Sequence, residues 1–273
     1  MDSTHPDYPL LKQISDSILS RSKGADGLRL HLPLLIADAI EFVIDPVRTA
    51  RTTVAELDKV EKTFVGLKIE HFFRDFLDLP IGIRDLKIDG VDLDIKNTVG
   101  VTWMIPQETY RNEEPCLLIA STTSDNSCSL GLMLARDAYL SKPNRDKKRG
   151  VSKGGRGNIF WMVENQQLPQ SRWEGLDMER FRELRKLKSG AKRAAQFFRE
   201  NMGRLVHRSV VHALLFDQKD YMKRLRENGG ARDQLLTENI ELLSGTYDSI
   251  QMSALGITPL GPDYWVAVKS QSG

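Results

Sequence analysis

The segment DLKIDGVDLDIK, residues 85–96, limits the possible folds of this chain more than any other feature of its sequence. Asp89-Gly90 is a dipeptide that favours a type I′ turn between two antiparallel strands. After the turn, apolar and charged residues alternate, as in a strand that covers a core with one face. The segment therefore predicts a β-hairpin whose second strand buries Val91, Leu93 and Ile95 and directs Asp92, Asp94 and Lys96 to the other side.

The charged face of this hairpin has the residue types of a metal-dependent hydrolytic site. Asp85, on the first strand, can reach the end of the second strand where Asp94 and Lys96 lie. Carboxylates and a main-chain carbonyl, here that of Ile95, are the oxygen ligands that Mg²⁺ prefers. A lysine beside them can orient an attacking water and offset phosphate charge. We therefore predict Asp85, Asp94 and the Ile95 carbonyl as metal ligands and Lys96 as a catalytic residue.

The Asp-x-Lys triplet alone is weak evidence, because this chain contains four copies. Asp85-x-Lys87 has no convergent acid on a preceding strand. Asp146-x-Lys148 lies in a loop rich in glycine and lysine, and Asp217-x-Lys219 in a predicted helix. Only Asp94-x-Lys96 has the strand and the preceding aspartate. An ordinary charged surface hairpin remains an equally good interpretation of these residues taken alone.

A glutamate on a predicted helix can complete the site. The capping-box pattern Thr53–Glu56 predicts a helix that continues through residue 76. Its predicted apolar face consists of Leu57, Val60, Phe64, Leu67 and Phe73. Glu70 lies on or beside this face, where a carboxylate needs a partner because burial of a lone charge is costly. Taken alone, Glu70 favours a glutamate that reaches water at the edge of the face; in its order before the hairpin aspartates and Lys96, it is predicted as a catalytic residue and possible metal ligand.

Hydrophobic patterns predict a two-domain chain. Two amphipathic helices over residues 6–20 and 31–45, the third helix and several short apolar strands predict an α/β domain at 1–162, with a mixed sheet flanked by helices. Residues 163–175 are predicted to be a linker. Residues 176–273 are predicted to be mainly helical, with a small strand element.

Location follows from what the sequence lacks. No apolar run is long enough to span a bilayer, so no membrane partner is expected. The first residues lack the basic start and apolar core of a signal peptide. The two cysteines do not form a disulfide framework. A cytoplasmic protein is the expectation.

The net charge of +2 conceals an uneven distribution, since residues 136–232 contain 24 Lys and Arg against 11 Asp and Glu. Such a basic segment favours a polyanionic partner, most often nucleic acid. The alternative is a solvated helical surface. The candidate DNA-binding residues are Asn144, Arg145, Lys147 and Lys148 in a loop, and Arg204, Arg208, Lys219, Lys223, Arg224 and Arg232 in the helical region.

Several of these motifs together resemble the NaeI family of type II restriction endonucleases. The resemblance covers roughly residues 50–273. The segments that carry it include EKTFVGLKIE, DLKIDGVDLDIK, CLLIAS, PNRDKKR, GRLVHRSVV and YWVAV. It implies a PD-(D/E)xK endonuclease domain, a winged-helix-like C-terminal domain with a helix-turn-helix, a Mg²⁺ cofactor and a homodimer that acts on double-stranded DNA.

The resemblance assigns the family's catalytic positions to Glu70, Asp85, Asp94 and Lys96, so all four groups are present. Ile95 departs from the family enzyme, which has a cysteine between the aspartate and the lysine, and Asp92 adds a carboxylate. The resulting hypothesis is a restriction endonuclease that is activated when its C-terminal domain binds a second copy of the site. The alternatives are a MutH-like nicking or repair nuclease and a DNA-binding regulator without catalysis.

Overall fold

The computed structural model describes residues 1–100, 102–122, 125–258 and 261–270. Its α-helices, in chain order, are α1 Tyr8–Arg21, α2 Gly24–Ile44, α3 Pro46–Thr49, α4 Lys59–Phe76, α5 Gln107–Arg111, α6 Met178–Arg185, α7 Gly190–Glu200, α8 Arg208–Leu214, α9 Ala231–Leu236 and α10 Ser249–Ala254. Its strands are β1 Leu86–Ile88, β2 Val91–Thr98, β3 Met104–Ile105, β4 Pro115–Thr122, β5 Ser127–Leu134, β6 Arg149–Gly150, β7 Phe160–Gln167, β8 Val206–His207, β9 Ile240–Ser244 and β10 Tyr264–Lys269.

The chain divides into two compact units. The first unit comprises Met1–Ile44 and Thr53–Gln170, and the second comprises Asp45–Thr52 and Ser171–Gly273. No helix among the described residues is long and apolar enough to cross a membrane.

A mixed five-stranded sheet forms the centre of the first unit, in the order β1-β2-β4-β5-β7. The pair β2–β4 is parallel, and the other neighbours are antiparallel. Strand β7 continues to Gln167, so the first five residues of the predicted linker 163–175 belong to the sheet. The expectation of an α/β fold with a mixed sheet is confirmed for this unit.

Helices α1, α2 and α4 cover one face of the sheet. Their buried side chains pack on alternate residues of the central strands, for example Leu93 and Ile95 of β2 and Leu117 and Ile119 of β4. The intervening residues of β4, Cys116 and Leu118, face a second cluster that includes residues of β3 and of the short helical and loop segments. Both faces of β2 are therefore covered, which explains why Leu93, Asp94 and Ile95 are buried in succession.

The start and the buried face of α4 differ from the prediction. The capping box at Thr53 and Glu56 closes only a short 3₁₀ turn, and α4 begins at Lys59 behind a second capping box at Asp58 and Glu61. The residues that pack on the sheet are Val65, Ile69 and Phe73. In the predicted face, Val60, Phe64 and Leu67 are 77%, 44% and 46% exposed. Leu57 and Phe73 of the predicted face are buried, but the prediction was wrong for the other three residues because the sheet, which local spacing does not reveal, selects the face.

The second unit combines helices α3 and α6–α10 with a three-stranded antiparallel sheet in the order β8-β10-β9. Its core includes Phe181, Phe197, Phe198 and Trp265. The segment Asp45–Thr52, which interrupts the first unit in sequence, packs against this core through Val47 and Ala50. The predicted second domain, residues 176–273, therefore lacks Asp45–Thr52 and residues 171–175 of this unit.

Candidate active site

The hairpin of residues 85–96 forms with the predicted turn and register. Asp89 and Gly90 have φ angles of 48° and 85°, which is the left-handed pair that a type I′ turn requires. Lys87 lies opposite Asp92 and Leu86 opposite Leu93, so Asp85 enters β1 beside Asp94 of β2.

The predicted metal ligands surround a single positive charge. The Lys96 ammonium donates to the Asp94 carboxylate and, over 3.0 Å, to the main-chain oxygen of Ile95. Its Nζ also lies 3.7 Å from Oδ2 of Asp85. That Asp85 oxygen accepts a 2.7 Å hydrogen bond from the Ile95 amide, which fixes its position. Three oxygens from Asp85, Asp94 and Ile95 thus point to one small region.

Burial makes this concentration of negative charge electrostatically costly. The Asp94 side chain is 5% exposed. Its burial raises the pKa of the carboxyl above the ordinary value, although Lys96 and Thr109 act in the opposite direction. For Lys96, burial lowers the pKa of the ammonium, but the charges of Asp94, Asp85 and Glu70 outweigh it and the pKa is raised. Lys96 is therefore held as a cation by the carboxylates around it.

Glu70 joins the same electrostatic group from α4. Gly66, Glu70 and Arg74 follow one another at one-turn spacing on the side of α4 that faces the hairpin. Gly66 lies against Asn97, and Arg74 donates to the main-chain oxygen of Asp85 over 3.1 Å. Burial, reinforced by the negative charge of Asp85, raises the pKa of Glu70 to about 7. Glu70 can thus take up or release a proton near neutral pH.

The donor set fits a hard divalent cation. The ammonium of Lys96 marks a point where two carboxylates and a carbonyl place oxygens around positive charge, and Mg²⁺ uses such oxygens together with several waters. In the described part of the chain, no three His, Cys, Asp or Glu side chains are grouped closely enough to hold a metal by themselves. That finding is compatible with Mg²⁺, which one or two carboxylates can bind.

Sequence reasoning missed two supporting residues. Thr109 of α5 is fully buried and donates a 2.6 Å hydrogen bond to Oδ2 of Asp94. Asp92, to which the sequence assigned no role, accepts a 2.6 Å hydrogen bond from the Ile83 amide and so holds the loop that leads into Asp85. Neither residue belongs to a motif. The only signal for Asp92 was its place on the charged face of β2.

The remaining residues of the other three Asp-x-Lys triplets lie outside the candidate site. Lys87 is exposed on the hairpin. Asp146 and Lys148 lie in an exposed loop, and Asp146 pairs with Arg145 at 3.7 Å. Asp217 forms an ion pair with the buried Arg193, which lowers the pKa of Asp217 to about 2.

The basic loop of the first unit is exposed throughout residues 141–148. Asn144 shapes the loop, because its Oδ1 accepts hydrogen bonds from the amides of Asp146 and Lys148 at 3.0 and 2.9 Å. Arg145, Lys147 and Lys148 direct their side chains into solvent. The loop can therefore present three cations to a polyanion, while Asn144 holds its turn.

The predicted DNA-binding residues of the second unit fall into two classes. Lys219, Lys223 and Arg224 are exposed, although Arg224 also donates to Gln218. Other arginines have partners within the unit. Arg204 donates to the Glu174 carbonyl, Arg208 to Tyr221, and Arg232 to Asp248. The structure thus reduces the number of basic side chains that are free to bind a ligand.

The profile of the family described as restriction endonuclease NaeI matches residues 23–268. The chain is 30% identical over 218 residues to the type II restriction enzyme NaeI of Lentzea aerocolonigenes, an alignment that covers 77% of this chain and 68% of that enzyme. The chain belongs to the NaeI restriction endonuclease family. The family match begins earlier than the motifs at residue 50 indicated, and it includes all of α2.

Family membership implies a site-specific DNA hydrolase, and the candidate site has chemistry suited to that reaction. A phosphodiester carries negative charge that increases locally as water attacks, so a hydrolytic site needs fixed positive charge next to groups that can orient water. Lys96, held by Asp85 and Asp94, supplies the fixed positive charge, and the surrounding carboxylates can orient water.

Proposed function

We propose that this protein is a Mg²⁺-dependent type II restriction endonuclease that hydrolyses phosphodiester bonds of duplex DNA at a short specific site. The observation that carries the proposal is the convergence of Asp85, Asp94 and the Ile95 carbonyl on the Lys96 ammonium, with Glu70 beside them. Like charges are brought together here at a cost in folding free energy, which is typical of functional sites.

Each residue has a role that follows from its position. Asp85, Asp94 and the Ile95 carbonyl would hold Mg²⁺, and Mg²⁺ when bound supplies positive charge that polarises the scissile phosphate. Lys96 orients the attacking water and offsets phosphate charge. Glu70 has a pKa of about 7 in the protein without metal. It accepts a hydrogen bond from water near the site when ionised and donates one when protonated.

The second unit is proposed to bind another copy of the site and thereby license cleavage. Its elements α7, β8, α8, α9, β9 and β10, with the sheet order β8-β10-β9, follow the sequence of helices and strands in winged-helix domains. Exposed Lys219, Lys223 and Arg224 supply phosphate contacts. A homodimer would place one active site on each strand of a palindromic sequence.

The central test is cleavage of a large DNA of high sequence complexity, followed by sequencing of the ends. We expect double-strand breaks at one common short sequence with Mg²⁺ and no breaks with EDTA. Single-strand breaks alone would favour the nicking nuclease, and intact DNA bound by the protein would favour the regulator.

Two substitutions in Asp-x-Lys triplets provide a matched comparison. Asp94→Asn should abolish cleavage and Asp146→Asn should preserve it, because only Asp94 lies in the convergent site. Cleavage by Asp94→Asn at the wild-type rate would remove Asp94 from the catalytic group.

Activation by a second site has its own assay. Once the cleavage sequence is known, a DNA with one copy should be cut slowly and a short duplex carrying the same sequence should accelerate the reaction. Equal rates with and without the added duplex would contradict the proposed role of the second unit.

A further inference from the structure

We propose that Thr109 is a positioning residue that orients the carboxylate of Asp94 toward the metal. The inference rests on the proposed function, since it concerns the same ligand set. It starts from the way in which the two oxygens of Asp94 are used. Oδ2 accepts the 2.6 Å hydrogen bond from the Thr109 hydroxyl, and Oδ1 faces Lys96 and the convergent oxygens.

The Thr109 hydrogen bond keeps the two Asp94 oxygens on different partners. Asp94 is 4% exposed and Thr109 is fully buried, so water does not replace a lost hydrogen bond at Oδ2. Without the hydroxyl, the carboxylate is free to rotate and to offer both oxygens to the Lys96 ammonium. After this rotation both Asp94 oxygens would contact Lys96, and Oδ1 would no longer point toward the oxygens of Asp85 and Ile95.

The short helix that carries Thr109 is itself fixed to the site from the other side. Arg84, the residue before Asp85, donates to both carboxylate oxygens of Glu114, at 2.6 and 3.0 Å. It also donates to the main-chain oxygen of Glu108 over 3.3 Å. Helix α5, at Glu108, and the segment after it, at Glu114, are thus bound to the loop that places Asp85, so the two aspartates are positioned through one connected set of contacts.

The same turn of helix contacts the basic loop. The hydroxyl of Tyr110, the neighbour of Thr109, donates to the main-chain oxygen of Lys147 over 3.0 Å, and the guanidinium of Arg149 lies 5.2 Å from the Tyr110 ring. Tyr110 therefore supplies a matched control. Tyr110→Phe removes one hydrogen bond of α5 that does not involve Asp94, whereas Thr109→Val removes the one that does.

The test measures metal binding directly, with MnCl₂ as the probe and the electron paramagnetic resonance signal of free Mn²⁺ as the readout, in the full chain without DNA. Loss of a group that orients a metal ligand typically weakens metal affinity by about 10- to 100-fold. We expect Thr109→Val to raise the Mn²⁺ dissociation constant by about tenfold or more. Thr109→Ser, which retains the hydroxyl, should restore affinity close to that of the wild type, and Tyr110→Phe should retain it.

The outcomes separate this inference from the proposed function. Failure of the wild type to bind Mn²⁺, or to cleave DNA with Mg²⁺, would contradict the proposed function itself. Normal Mn²⁺ binding by both the wild type and Thr109→Val would overturn the role of Thr109 alone. Equal losses in Thr109→Val, Thr109→Ser and Tyr110→Phe would show that α5 is only structural, which also overturns the inference.

Discussion

The candidate site of the first unit and the second unit have opposite arrangements of charged residues. In the first unit, Asp85 and Asp94 share one partly buried ammonium, with Glu70 nearby. In the second unit, many arginines each have an acidic partner of their own. These ion pairs are Arg180–Glu200, Arg193–Asp217, Arg199–Glu238 and Arg232–Asp248.

The difference shows why a count of charges is a poor guide to a binding surface. An arginine that is paired within the fold has fewer donors for a phosphate, so the surplus of basic residues in 136–232 overstates the free positive charge. Acidic groups that converge without equal compensation, in contrast, are rarely produced by stability alone. The convergent site is therefore the stronger evidence for function.

The largest expected effect tests the convergent charge of the first unit. Lys96→Met should reduce the rate of DNA cleavage by about 10³-fold or more, since it removes the only ammonium that the described structure places against Asp85 and Asp94. Lys87→Met is the matched control, because Lys87 is exposed on the same hairpin. Equal cleavage rates in the two variants would contradict the catalytic assignment.

The second prediction concerns an ion pair that stabilises the other unit. Arg193 is 1% exposed and donates to Asp217 and to the carbonyl oxygens of Leu187 and Leu214. Arg193→Met leaves the two carbonyl oxygens without this donor and should lower the free energy of unfolding by about 1–3 kcal/mol. Urea denaturation, with amide exchange in α7 as the local readout, measures the loss. The exposed neighbour Lys192→Met should unfold as the wild type does.

The third prediction uses the pKa of Glu70 without metal. Its folded-state pKa of about 7 lies above the ordinary value of 4.5, so the unfolded chain loses this proton first. Stability from this group is present below pH 4.5 and is lost as the pH rises through 7. Glu70→Gln in EDTA should therefore reduce the loss of stability between pH 5 and pH 8, by on the order of 1–2 kcal/mol after allowance for solvent screening.

The control for Glu70→Gln is Glu164→Gln, at an exposed residue of β7. This variant should keep the wild-type difference in unfolding free energy between the two pH values. An identical pH dependence in Glu70→Gln and the wild type would show that the Glu70 carboxyl is not destabilised in the folded protein.

The smallest effects are expected for single exposed cations. Lys147→Ala or Lys148→Ala should each reduce the slope of log affinity for duplex DNA against log salt by about 1, because each would remove one phosphate contact. Arg199→Ala, which disrupts a pair with Glu238, should leave this slope unchanged. Equal slopes in all the variants would mean that exposure does not distinguish the DNA-binding cations.

Local sequence predicted the hairpin and its site because the decisive contacts are close in the chain. The turn at Asp89-Gly90 fixes the register, and the register brings Asp85 to Asp94. Contacts between distant segments were not predictable in this way. Thr109 contacts Asp94 across 15 residues of sequence, and an isolated threonine has no signature.

The prediction of the apolar face of α4 failed for the same physical reason. Val60, Phe64 and Leu67 have helical spacing as good as that of Val65, Ile69 and Phe73, and only the position of the sheet decides between the two sets. Glu70 was nevertheless predicted as a site residue, because its order in the chain before the hairpin motif and the family resemblance both pointed to it.

The segment Asp45–Thr52 has a consequence for how this protein can be divided. The chain leaves the first unit after Ile44, returns at Thr53 and leaves it again after Gln170, so neither unit is one continuous stretch that can be cut out of the gene. Truncation after Gln170 would leave Val47 and Ala50 without the apolar core they pack against. Exchange of the C-terminal unit between relatives would likewise require exchange of these eight residues, so recombination at a single point would produce mismatched chimeras.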